Sequence, residues 1–188
     1  VNGLYTAPAT IDEHELIACA QQGDRQAFHE LVCRYHESVV RVVYRMCGDP
    51  RLAEDAAQEA FVRVWLNLHK YKPEYAFRSW LFRIATNAAL DALRREKPSS
   101  DIDQLPLADQ AEGPERSAEG SQRIEQVRRA IAGLSEPLRV VIVLREYEDL
   151  SYQEIADTLD IPIGTVMSRL NNARIQLRRE LTGILEEA

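Results

Sequence analysis

The sequence predicts an all-α fold: two helical domains joined by a flexible acidic linker. Three observations predict it. Apolar residues recur at helical spacing from Ile11 to Arg95 and again from Gln122 to Leu185, with no long alternating pattern. Gly and Pro, eight of each in 188 residues, are sparse within those blocks. Between them "PSSDIDQLPLADQAEGPERSAEG", Pro98 to Gly120, is rich in Pro, Ser, Gly and acids and has little to pack. The expected divisions are a frayed N-terminus over 1–10, a first domain over 11–97, the linker over 98–120 and a second domain over 121–188.

The N-terminal stretch "VNGLYTAPAT" shows no signal-peptide pattern. The next stretch, "LIACAQQGDRQAFHELVCRYHESVVRVVYRMCG", reads as two or more helices broken near Gly23 and Asp24. Phe28, Leu31, Val32, Tyr35 and Val39 share one face. "DPRLAEDAAQEAFVRVWLNLHKY" opens with Asp49 as N-cap and Pro50 in the first turn. Its inner side is Leu52, Ala56, Ala60, Val64 and Leu68; Asp55, Gln58, Glu59 and Arg63 form a polar side. In "FRSWLFRIATNAALDALRREK" an apolar stripe of Trp80, Leu81, Ile84, Ala88 and Leu93 is flanked by Arg78, Arg83, Arg94 and Arg95. Asn87 and Asp91 lie one turn apart. Aromatics among arginines can stack on unpaired bases and hold phosphates, or can simply anchor a core. For Trp80 the core reading is preferred.

The second domain is the more legible. Ser135 and Pro137 start a helix, and "LRVVIVLREYE" is apolar on nearly every side except for its arginines, as a buried central helix should be. In "SYQEIADTL", Ser151 and Glu154 make a capping box, with Ile155, Ala156 and Leu159 facing inward. Asp160 and Ile161 break the chain, and Pro162 opens a longer basic helix, "IGTVMSRLNNARIQLRR". A short capped helix, a small turn and a basic helix describe a helix-turn-helix. On a wheel, Val166, Leu170, Ala173 and Leu177 face the core. Gly164, Ser168, Asn171, Asn172 and Ile175 face away, with Met167, Arg174 and Arg178 on one flank and Thr165, Arg169 and Gln176 on the other. Asn can bond an adenine edge in the major groove, and Arg can grip phosphate or guanine.

Composition excludes several classes. At 45% hydrophobic and 28% charged residues the chain is globular, and no apolar run nears the roughly 20 residues of a membrane span. A net charge of −7 argues against a histone-like binder. Yet residues 98–120 hold six acids against one arginine, so most of that charge sits in the linker. Cys19, Cys33 and Cys47 form no C-x-x-C and are read as reduced thiols of a cytoplasmic protein. His29, Cys33 and His36 share a helix side without a fourth ligand nearby, so no metal site is assigned. There is no Gly-rich phosphate loop, catalytic triad or paired-carboxylate site, so no catalytic residue, enzyme activity or cofactor is expected.

In their order, "QQGDRQAF", "DPRLAEDAAQEAFVRVW", "AFRSWLFRIATNAALDALRR" and "LSEPLRVVIVLREYEDLSYQEIADTLDIPIGTVMSRLNNAR" resemble a bacterial RNA polymerase sigma factor of the extracytoplasmic-function (ECF) group, from about Ile11 to Leu185. The resemblance implies two helical domains, regions 2 and 4, and no enzyme. It implies a contact of Asp55, Gln58, Glu59 and Arg63 with the clamp helices of the largest polymerase subunit, and a second polymerase contact at the flap. It implies −10 reading and opening by the segment holding Lys72, Tyr75, Phe77, Trp80, Arg83, Asn87, Asp91, Arg94 and Arg95. There Asn87 holds a flipped-out base with Asp91 beside it, Phe77 and Trp80 shape the pocket, and the loop from Lys72 to Ala76 varies base choice. It implies −35 reading by Thr165, Met167, Ser168, Arg169, Asn171, Asn172, Arg174 and Arg178. It further implies a linker threaded through polymerase and an anti-sigma factor, often membrane-bound. Met167, Asn171, Asn172 and "YKPEYAF" depart from the family pattern, so a relative's promoter sequence does not transfer. A stand-alone helix-turn-helix regulator and a metal-responsive sensor are the alternatives.

Overall fold

The computed structural model describes residues 12–74, 76–96 and 118–185; the expected N-terminal fray, most of the linker and Tyr75 lie outside these. The described residues are helical, in the order α1 (Glu13–Gln21), α2 (Arg25–Cys47), α3 (Pro50–Asn67), a 3-10 turn (Leu68–Lys70), α4 (Phe77–Glu96), α5 (Ala118–Ala132), α6 (Glu136–Glu148), α7 (Tyr152–Leu159) and α8 (Ile163–Leu185). No strand occurs among them.

Local chemistry sets most boundaries. The Asp24 carboxylate accepts the N–H groups of Gln26 and Ala27 at the start of α2, after Gly23 turns the chain at φ 93°. Asp49 does the same for Arg51 and Leu52 at α3, with Pro50 in the first turn. The capping box at α7 is complete: the Glu154 N–H donates to Ser151 Oγ at 3.2 Å, and the Ser151 N–H donates to Glu154 Oε2 at 2.8 Å. These bonds hold the Glu154 carboxyl below its ordinary range. Asp149 and Asp160 end α6 and α7 in the left-handed region, a conformation a short polar side chain tolerates. Helix α5 starts at Ala118, three residues inside the span read as linker.

In the first block α2 packs against α1, α3 and α4, and α3 against α4. Small residues on α3 (Ala53, Ala56, Ala57, Ala60) and α4 (Ala85, Ala88, Ala89) are buried, which permits close approach. In the second block α8 packs across α5, α6 and α7. Helix α6 is central as expected, with Val140 to Leu144 all buried.

Two charges on α6 correct the sequence reading, which placed its arginines outside the apolar surface. Arg139 is buried, as is Glu148 at the other end. Arg139 donates to the carbonyls of Ala132 (2.5 Å), Leu134 (2.9 Å) and, from the first block, Met46 (2.6 Å). These carbonyls offset the desolvation of its guanidinium. Beside it, burial pushes the Cys47 thiol up to about 12, so that sulfur is a core atom and not a nucleophile.

The two blocks pack on each other. Helices α5 and α6 lie against α2, and α7 lies against α4.

Candidate nucleic-acid and protein interfaces

Helix α8 rises directly from the α7 turn. The Pro162 carbonyl accepts the N–H groups of Thr165 and Val166, and Val166, Leu170 and Ala173 fill the inner side. The inner set therefore holds, with Leu177 partly buried against the core. The outer side presents Gly164, Met167, Ser168, Asn171 and Asn172, all exposed, with Arg178 exposed nearby. Thr165 and Arg169 are half-buried on the flank. Two candidates are partly engaged within the protein. The Ser168 hydroxyl donates to the Thr165 carbonyl, and Arg174 donates to Glu146 at 2.9 Å. Exposed apolar surface is the surprise: Met167 is 53% exposed, Ile175 is 61% exposed and Ile163 is also exposed. The wheel had already turned Ile175 outward, but the polar residues beside it drew the candidate set away from it. A face of asparagines and apolar side chains suits adenine edges and thymine methyl groups.

Helix α4 is anchored by an aromatic cluster. Tyr71 and Phe77 meet edge-on at 5.4 Å, and Trp80 lies 5.4 Å from Tyr71 and 5.8 Å from Phe77. Phe77 is buried, so it shapes this cluster but cannot itself stack on a base; Trp80 is half-buried. Gln21 fixes the chain entering α4, its side-chain amide donating to the Leu68 and Tyr71 carbonyls at 3.0 Å each. Lys72, Arg83, Asn87, Arg94 and Arg95 are exposed.

On α3, Asp55 and Gln58 are exposed and Glu59 and Arg63 half-exposed. Val62 (57% exposed) lies at i+3 from Glu59, i+4 from Gln58 and i+7 from Asp55, and Leu66 (62%) lies at i+4 from Val62, so both continue the same stripe. Neither was among the sequence candidates, though each is an apolar residue off the inner face. Together they make an acidic face with an apolar centre, the chemistry of a protein-docking surface.

The structure also joins residues that the resemblance had assigned to two interfaces. Glu59 bonds Arg95 and Arg63 at 2.5 Å each, Arg63 continues to Asp91 at 2.8 Å, and Asp91 lies 3.9 Å from Arg94. The Arg95 hydrogen bond, followed by that of Arg63, holds the Glu59 carboxyl below its usual range. The bond to Asp91 is the main cause that raises Arg63. These pairs are solvent-screened, so each contributes at most about 1 kcal/mol.

The side chains of His29 and Cys33 approach to 3.5 Å, but the His36 ring lies parallel to Phe61 at 6.2 Å. Among the described residues no group of three His, Cys, Asp or Glu is placed to hold a metal ion, and no helix is long and apolar enough to cross a membrane.

Two family profiles match the chain: Sigma-70 region 2 over residues 31–98 and Sigma-70, region 4 over residues 124–177. The RNA polymerase sigma-H factor of Pseudomonas aeruginosa is 36% identical over 187 residues, covering 94% of this chain and 97% of the relative. The ECF RNA polymerase sigma factor SigW of Bacillus subtilis is 36% identical, covering 86% of this chain and 92% of the relative. Among solved structures, CnrH in complex with the cytosolic domain of CnrY superposes with a TM-score of 0.72 at 25% identity, over 91% of this chain and 97% of that one. With the capped helix-turn-helix of α7 and α8 following the α1–α4 bundle, this chain belongs to the ECF sigma factors of RNA polymerase.

Proposed function

We propose that this sigma factor docks on core polymerase through the α3 face, reads and opens the −10 element with α4 and reads the −35 element with α8. The single observation that carries this reading is α8. Its inner side is sealed by Val166, Leu170 and Ala173, while Asn171, Asn172 and Met167 are held outward on a helix whose entry is fixed by a capped turn. Such a helix can enter a major groove without unfolding.

On α3, Asp55, Gln58 and Glu59 ring Val62 and Leu66, which supports an apolar, basic-rimmed partner such as the polymerase clamp helices. On α4, exposed Asn87, at i+7 from half-buried Trp80, supports capture of an unstacked base, which offsets the few kcal/mol of unpairing. The chain performs no catalysis of its own and works in the cytoplasm. An anti-sigma factor controls it, and the likeness to CnrH with the cytosolic domain of CnrY supports a partner with a cytosolic part.

The test is transcription in vitro with core polymerase over a randomised promoter library. Enrichment of two separated motifs, with the upstream one altered by Asn171→Ala, is the expected outcome. Tight, selective binding to duplex DNA without any affinity for core polymerase would overturn it in favour of a stand-alone helix-turn-helix regulator.

A further inference from the structure

Helix α1 belongs to none of the interfaces above, yet both of its ends serve the loop that leads into α4. Gln21 is its last residue. A side-chain amide carries two N–H groups, and here two acceptors meet it. Gln21 Nε2 donates to the carbonyls of Leu68 and Tyr71, at 3.0 Å each and across 47 and 50 residues. Those carbonyls bracket the 3-10 turn Leu68–Lys70, which closes with a bond from the Tyr71 N–H to the Leu68 carbonyl at 3.0 Å. A 3-10 turn has poorer hydrogen-bond geometry than an α-helix, so a tie from outside decides where it points. The tie starts from a fixed base. Leu16, Ile17 and Ala20 are buried, and the N–H groups of Gln22, Gly23 and Asp24 bond back to the Cys19 and Ala20 carbonyls.

The turn sets one end of the loop. Tyr71 follows it directly, buried, with its ring against Phe77 and Trp80, both at 5.4 Å. Phe77, also buried, opens α4 at the other end. Lys72, Pro73 and Glu74 lie between these anchors and are exposed. The Phe77 end is held from α1 as well. Glu13, at the start of that helix, accepts from the Tyr35 hydroxyl, and the Tyr35 ring meets Phe77 edge-on at 5.6 Å. The two ends of α1 therefore hold the two ends of the loop: Gln21 by bonds to the backbone, Glu13 through an aromatic ring. Of the two, Gln21 acts on the chain itself, immediately before Lys72.

We propose that Gln21 is a positioning residue for −10 base choice: by tying the Leu68 and Tyr71 carbonyls it fixes where Lys72, Pro73 and Glu74 meet an unpaired base. The inference rests on the −10 reading above and adds to it a residue from outside the reading segment. The Gln21 N–H groups are spent within the protein, so its effect on bases passes through the loop. A reading site tolerates little slack, and its supporting bonds decide whether it discriminates or merely touches. Without the tie, the turn and the Tyr71 carbonyl are free to shift, and the loop accepts more bases with less preference among them.

The test is transcription in vitro by the full chain with core polymerase, on competing promoters that differ at single positions of the −10 element. Gln21→Glu keeps the shape but sets a carboxylate against two carbonyls. It should lower discrimination at the most selective −10 position about fivefold, the factor carried by one hydrogen bond. Discrimination at −35 and affinity for core polymerase should stay unchanged. Gln21→Lys restores N–H donors and should bring −10 discrimination back to within about twofold of wild type. Its added charge favours every base alike and cancels in the competition. If Gln21→Glu fails to fold, Gln21→Met, neutral and without donors, should show the same loss. Folded Gln21→Glu or Gln21→Met chains with wild-type −10 discrimination would overturn the positioning role, including where only the melting temperature falls. So would equal loss at −10 and −35, or a Gln21→Lys chain as unselective as Gln21→Glu. Failure of the −10 reading looks different: the wild-type chain itself then prefers no base in the downstream motif, and the role of Gln21 falls with it.

Discussion

Helices α4 and α8 are both arginine-bearing helices with an apolar inner side, yet they present themselves differently. All four arginines of α4 are ion-paired: Arg78 with Glu148, Arg83 with Asp160, Arg94 with Asp91 and Arg95 with Glu59. On α8 the exposed outer side is carried by Asn171, Asn172, Met167 and Ile175, and charge sits at its edges. The difference fits the two proposed tasks. A duplex groove can be read by neutral side chains offered outward. A strand that must be opened and held needs cations, and cations left idle are neutralised by the nearest acids.

The comparison breaks most completely if α8 loses its support. Leu170→Ala removes a buried side chain from beneath the outward asparagines and should cost about 2–5 kcal/mol in thermal or denaturant unfolding. On the outer side, Asn171→Ala should cost about 1–3 kcal/mol of discrimination at one base pair, measured by competition between promoter variants, and leave the melting temperature nearly unchanged. If selectivity does not move, the asparagine is merely solvated. Asn87→Ala sharpens the contrast from the α4 side. It should slow promoter opening in a permanganate footprint while leaving polymerase affinity intact, and equal loss of both would remove the base-capture role.

Ser151→Ala tests the entry to α8 more gently. Loss of the box should cost about 1 kcal/mol in unfolding. The smallest effect is that of acid. The Glu59 and Glu154 carboxyls are depressed from an ordinary 4.5 by their partners. Their contribution is therefore full above that value and is lost as pH falls through the depressed one. A melting series from pH 7 to pH 3 should be flat to about 5 and then decline, and the Glu59→Gln variant should show a shallower decline.

Much of the fold was legible because its signals are local. Asp24, Asp49 and the pair Ser151 and Glu154 cap helices within three residues, and the inner faces of α3 and α8 recur every three or four. The site was legible in part. Asn171 and Asn172 stand outward as the wheel required, and Phe77, expected either to shape a base pocket or to anchor the core, is buried in the aromatic cluster. Val62 and Leu66 went unread because periodicity marks an apolar residue but not whether anything covers it.

By itself the sequence determined the helices, their caps, their inward and outward sides and, through four ordered motifs, the family. Those depend on contacts between residues three or four apart, or on patterns that survive without coordinates. Only the tertiary structure decided that Arg139 and Glu148 are buried, that Arg63 reaches Asp91 28 residues away, and that Arg41 reaches Glu148 across 107 residues. The physical reason is that an ion's partner is set by where the chain returns, and neither helical period nor propensity encodes that meeting.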